Sequence, residues 1–186
     1  MKYTRPLSAW LLTCAATCLL TIATGAAAAG PDAPATQDID LNLIVNPGLN
    51  DAWYDINTAG QGFFFNVFPD IPLFFLAWFT FDTVQPDSSV TAILGAPDQR
   101  WVTASGSWQG NTVTLNAELT TGGVFNSSEP MPTQVQGYGT ITIVFHDCNN
   151  ATLTYNFPSL GLSGQIELTR VVADNVALCE SLAMGS

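Results

Sequence analysis

The stretch Thr112-Val113-Thr114-Leu115-Asn116-Ala117-Glu118-Leu119 decides the fold class. Val113, Leu115, Ala117 and Leu119 fall on one side, and Thr112, Thr114, Asn116 and Glu118 on the other. A period of two belongs to a strand with one face in a core and one in water. Gln109-Gly110-Asn111 supplies the hairpin turn before it. The alternation returns downstream, with Ile141, Ile143 and Phe145 set against Thr140 and Thr142. After a turn over residues 146–150, Leu153, Tyr155 and Phe157 alternate with Thr152, Thr154 and Asn156. Residues 158–161 turn the chain again, and residues 165–171 form a last strand with Ile166 and Leu168 apolar.

Upstream, residues 61–68 and 73–81 are aromatic-rich runs whose composition favours strands, joined by Pro69-Asp70-Ile71-Pro72. Both are nearly continuously apolar, which predicts cover on both faces. Residues 82–99 read as a long polar loop in which 90–94 has strand composition, and residues 100–105 as a strand turning at Gly106. Residues 173–184 read as a short helix or extended tail pinned by Cys179. Seven or eight strands with mostly short connections predict an antiparallel up-and-down meander. Its apolar face has to be buried, and no amphipathic helix is long enough to cover it. The expected fold is therefore all-β, a closed or nearly closed barrel, with a two-sheet sandwich as the alternative.

The beginning of the chain predicts the compartment. Lys2 and Arg5 precede an apolar run from Leu7 to Ile22, and Ala26 to Ala29 supply small residues for cleavage, which is the order of a secretory signal peptide over residues 1–29. The apolar run is too short and too rich in Ala and Thr for a good spanning helix. Residues 30–37 read as a flexible linker and residues 38–186 as a single β domain. An exported protein, periplasmic or secreted, is expected, with no membrane insertion after cleavage.

Cleavage removes two cations from a formal charge of −11, leaving −13 with Arg100 and Arg170 as the only cations. That balance disfavours nucleic acid and anionic lipid headgroups as partners. No lysine remains for Schiff-base chemistry. Two cysteines also remain, Cys148 and Cys179, and in an exported chain they most simply pair.

Site chemistry is thin. The sole histidine, His146, precedes Asp147 in a turn, where neighbouring side chains point apart. Gly161-Leu162-Ser163-Gly164 is one residue short of a nucleophile elbow. Glu118 and Glu167 lie on polar strand faces, and a carboxylate-dependent hydrolase built on them is one alternative. Calcium is the one cofactor the acids suggest, through Asp38, Asp40 and Asn42, through Asp51, Asp55 and Asn57, or through Asp82 and Asp87. None of these matches an EF-hand, and loop solvation or turn capping by Asp and Asn is the plainer reading.

Aromatic residues are the remaining signal. Trp78 lies within an apolar strand and reads as core, whereas Trp53, Tyr54 and Trp108 lie near turns and are expected at the surface. With Trp101 and its neighbour Arg100 they form the ligand-binding candidates, for a small ligand, a glycan or an envelope protein. Arg170 ends an apolar strand and is expected to be structural, stacking on an indole and pairing with a carboxylate at a barrel end.

These segments together resemble an uncharacterised module of exported bacterial proteins. The residues that carry the resemblance are Asn46-Pro47-Gly48 through Trp53-Tyr54, Gly60-Gln61-Gly62-Phe63 and Leu76-Ala77-Trp78-Phe79-Thr80-Phe81-Asp82. Arg100-Trp101-Val102, Gly139-Thr140-Ile141-Thr142-Ile143-Val144-Phe145, the acidic turn 146–150 and Arg170 complete it. Phe81 stands where the pattern often shows Tyr. The resemblance covers most of residues 46–182. It implies export, a β module and the Cys148–Cys179 disulfide, and it implies no activity.

Overall fold

The computed structural model describes residues 43–184. The expected signal peptide and linker lie outside these residues, as do Asp38, Asp40 and Asn42. Eight antiparallel strands follow one another: β1 (Asp51–Tyr54), β2 (Gly62–Phe68), β3 (Leu73–Phe81), β4 (Gln99–Gln109), β5 (Thr112–Thr121), β6 (Thr133–Phe145), β7 (Asn150–Phe157) and β8 (Leu162–Arg170). Each pairs with its sequence neighbour, and β1 pairs with β8 to close the barrel. One helix, α1 (Val176–Met184), follows β8. The barrel, rather than the sandwich, is thus the fold. It leaves no sheet edge open.

An eight-stranded barrel is just wide enough for side chains to fill it. Alternate residues point inward from every strand, among them Phe63, Phe65, Phe74, Leu76, Leu115, Ile143 and Leu153, all buried. Aromatic rings occupy much of the space. Trp53 stacks on Phe65 at 5.5 Å and meets Phe145 edge-on at 5.6 Å. Nearer the other end, Trp78 stacks on Phe63 at 5.0 Å and packs against Tyr155 and Phe157. Outward, β5 to β7 carry cross-strand rows such as Thr114, Thr142 and Thr154, which sit side by side in register.

Several local expectations are corrected. The outer faces of β2 and β3 are not covered: Phe64, Phe68, Phe79 and Phe81 are exposed. Only one face of each run reaches the core, because the barrel has a single interior. Residues 90–94 form no strand. β4 does not turn at Gly106 but runs on to Gln109. A Cβ at position 106 would stand 2.1 Å from the Thr114 carbonyl oxygen and 3.0 Å from the Leu115 Cα, so the glycine permits close approach of two strands rather than a reversal. Gly106→Ala is expected to cost about 1–3 kcal/mol, since only backbone movement relieves the contact. Urea unfolding gives the cost, and amide exchange at Thr114 and Leu115 shows whether the damage begins there.

The two ends differ. At one, Pro47–Leu49 forms a 3-10 turn capped by the Asn46 side chain, and it lies across the barrel with α1 behind it. Leu43, Val45 and Leu49 are buried there, and the Val45 amide donates to the Gly110 carbonyl. The Cys148–Cys179 disulfide joins the β6–β7 turn to α1, with the two Cα atoms 5.8 Å apart. At the opposite, open end emerge the connections after β1, β3, β5 and β7.

Candidate functional site

Arg170 sits in the plugged end, inward on the last residue of β8, with its side chain 1% exposed. It donates to Asp51 Oδ2 at 2.8 Å, to the Gly48 carbonyl at 2.6 Å and to the Cys148 carbonyl. Its guanidinium lies 4.6 Å from the Trp53 ring centroid. Burial pulls its pKa below the ordinary arginine value, while the hydrogen bond and charge of Asp51 oppose that shift. The cluster welds β1, β8, the 3-10 turn and the disulfide turn together and offers no access to a ligand.

Trp53 belongs to that cluster, which corrects its expected exposure. It is fully buried, and its Nε1 donates to the Leu49 carbonyl at 3.2 Å. Sequence proximity to a turn misled because the turn folds back over the indole. Trp108 is half-buried against the core, Tyr54 is half-buried on β1, and Trp78 is buried as expected.

Trp101 is the aromatic candidate that, like its neighbour Arg100, is exposed. It is 55% exposed on the outer face of β4, in register with exposed Phe79 on β3. Phe64 meets Phe79 edge-on at 5.8 Å. A groove of about 480 Å³ is lined by Phe79, Phe81 and Trp101 together with Leu94 to Ala96, Gln99 and Arg100. That volume is in the range of small-molecule sites. The cleft at the open mouth, against Phe63 and Trp78, is about 70 Å³ and far below that range.

Arg100 contributes to the groove through its framework. It donates to the Pro97 and Gln99 carbonyls at 2.8 and 2.7 Å and to Asp82 Oδ2 at 2.7 Å. The Asp82 amide in turn donates to the Asp98 carbonyl at 2.8 Å, so both ends of the β3–β4 loop are clasped. The clasp was not legible from Arg100 alone, because its partner lies 18 residues earlier.

Among the described residues, the acids named for calcium have other partners. Asp51 is committed to Arg170, Asp55 accepts from the Asn57 backbone and side chain, and Asp87 caps the Ser89 amide. Among the described residues no group of three or more His, Cys, Asp or Glu side chains is disposed to hold a metal ion. Nor do Glu118 and Glu167 form a pair. The row through Glu167 crosses Thr152 and Val144 to Thr112, six residues from Glu118. That offset is about 20 Å along the strand at about 3.3 Å per residue, too far for glycoside hydrolysis.

Glu167 instead meets His146. Thr152 Oγ1 donates to Glu167 Oε2 at 2.8 Å, and His146 Nε2 lies 2.7 Å from the same hydroxyl. With the hydroxyl proton on the carboxylate side, the imidazole is the donor, opposite to a general base activating a nucleophile. The hydrogen bonds from Gln165 and then Thr152 lower the Glu167 pKa below the ordinary glutamate value, with His146 adding a smaller charge effect. An NMR titration should find Glu167 ionising below an ordinary glutamate, and Gln165→Leu should raise its midpoint. Because the folded value is depressed, this carboxylate's contribution to stability is full above the unfolded glutamate pKa and is lost as pH falls through the folded value.

No family model matches this chain, and no curated protein or solved structure matches it either.

Proposed function

We propose that the chain is a non-enzymatic extracytoplasmic binding module that binds its partner with the outside of the barrel, along the Trp101 groove and the open end. The observation that carries this reading is the pairing of a filled interior with exposed, adjoining aromatic rings on β2 to β4. Contiguous apolar surface of that kind marks interaction sites in soluble proteins. The disulfide supports an oxidising compartment, and the resemblance to an exported module agrees. The outward Thr, Asn, Gln and Glu side chains of β5 to β8 support a barrel that stays out of the bilayer after cleavage, since a spanning barrel turns an apolar band outward.

A thermal-shift screen over glycans, lipids and envelope proteins tests the reading. A ligand that binds only the folded form raises the midpoint. The rise should disappear in Trp101→Ala while the unliganded midpoint stays near wild type, because the indole is exposed. A ligand whose shift survives Trp101→Ala and Phe79→Ser binds elsewhere and overturns the assignment.

A further inference from the structure

The open end carries exposed apolar side chains on every one of its four connections. Ile56 follows β1, Ile93 and Leu94 lie between β3 and β4, Phe125 and Met131 between β5 and β6, and Leu160 between β7 and β8. Carboxylates are interleaved with them: Asp87 stands between exposed Val84 and Val90, and Glu129 between Phe125 and Met131. Asp55, Asp82 and Asp98 lie at the same end. Arg100 is the sole lysine or arginine at that end among the described residues, and Asp82 already holds it.

We infer that the open end docks a protein segment that presents lysine or arginine beside aliphatic side chains. This rests on the proposed binding surface and names its partner. Charge chooses among occupants. Among the described residues a second copy brings the same acids and no free cation to its open end, so two open ends repel. An anionic bilayer repels for the same reason. A neutral bilayer would have to take up Asp87 and Glu129 along with the tips that flank them, at a desolvation cost with no counter-charge. A neutral glycan gains from flat rings, and most of these tips are aliphatic. A basic, apolar protein surface satisfies both components at once.

The test measures binding of the protein to an immobilised helical leucine–lysine peptide and to its leucine–glutamate counterpart. The lysine peptide should bind and the glutamate peptide should not. Ile93→Ser combined with Phe125→Ser should weaken binding by about tenfold or more, the loss expected of central apolar contacts. Asp87→Asn with Glu129→Gln should weaken it and flatten its salt dependence. Asp70→Asn with Glu180→Gln, both away from the open end, should leave it unchanged. Equal binding by the serine variant would reduce the interaction to net charge and overturn the inference. So would tip-dependent binding to phosphatidylcholine vesicles, or a dimer in ultracentrifugation that the serine variant loses. If the lysine peptide fails while a Trp101-dependent ligand still binds, the partner assignment falls and the binding surface stands. If both fail, both fall.

Discussion

Replacing Arg170 by Met should destabilise the protein by about 3–5 kcal/mol, the cost of breaking a buried pair by removing one partner. Domains of this size are stable by only about 5–15 kcal/mol, so the urea midpoint should fall steeply. Three acceptors lose their donor together: Asp51 Oδ2 and the Gly48 and Cys148 carbonyls. Trp53 loses the guanidinium over its face. Arg170→Lys should recover little, because an ammonium cannot hold three acceptors in the planar fork that guanidinium provides. Asp51→Leu in the Arg170→Met background should recover part of the loss by deleting the stranded charge, and only part, because the two carbonyls stay unsatisfied. A near-wild-type midpoint for Arg170→Met would show that packing and the disulfide hold the plugged end without the guanidinium.

The second large effect is expected from the disulfide. Cys148→Ala with Cys179→Ala should cost about 3–4 kcal/mol in the chain-entropy model, given a sequence separation of 31 residues. The loss should have a local component as well. α1 packs on the 3-10 turn so closely that a Cβ at Gly48 would stand 2.3 Å from the Cys179 nitrogen and 2.4 Å from its Cα. Beyond that contact it is held by Asn46 Nδ2 on the Cys179 carbonyl at 3.3 Å and by Asn175 Nδ2 on the Asn50 carbonyl at 3.0 Å. Without the covalent tie, amides of α1 should exchange well before those of the barrel, and limited proteolysis should cut there first. Exchange in α1 as slow as in β5 would show that the helix docks on its own.

Strict alternation made β5 and the last part of β6 legible, since period two needs only neighbouring residues. β3 was bounded correctly by its flanking prolines and aspartate. Its facing was not, because an unbroken apolar run conceals which residues turn outward, and the exposed Phe79 and Phe81 are chemically the same as the buried Phe74. The first half of β6, with Gln134, Gln136, Gly137 and Gly139, has no apolar period, so nothing in the sequence marks it as strand. Stacking of Arg170 on an indole and its pairing with a carboxylate were expected from its loneness in an apolar strand, and both contacts are present. Which carboxylate it would be was not legible, because 119 residues separate Arg170 from Asp51. Likewise Trp101 and Trp53 look alike in sequence, both aromatic and both at strand ends. The side of the strand each ring takes distinguishes them: Trp53 turns inward onto Phe65 and Phe145, and Trp101 outward beside Phe79.

The seam between β1 and β8 also governs when this protein can finish folding. The two strands' partners lie 119 residues apart, so an interval separates the arrival of Asp51 from that of Arg170 in the compartment where the chain folds. Throughout that interval the first strand has one unoccupied hydrogen-bonding side, and the nascent sheet is a sticky ribbon rather than a cylinder. A chain halted before its final strand can never zip shut, so premature termination should yield aggregates rather than a smaller working unit.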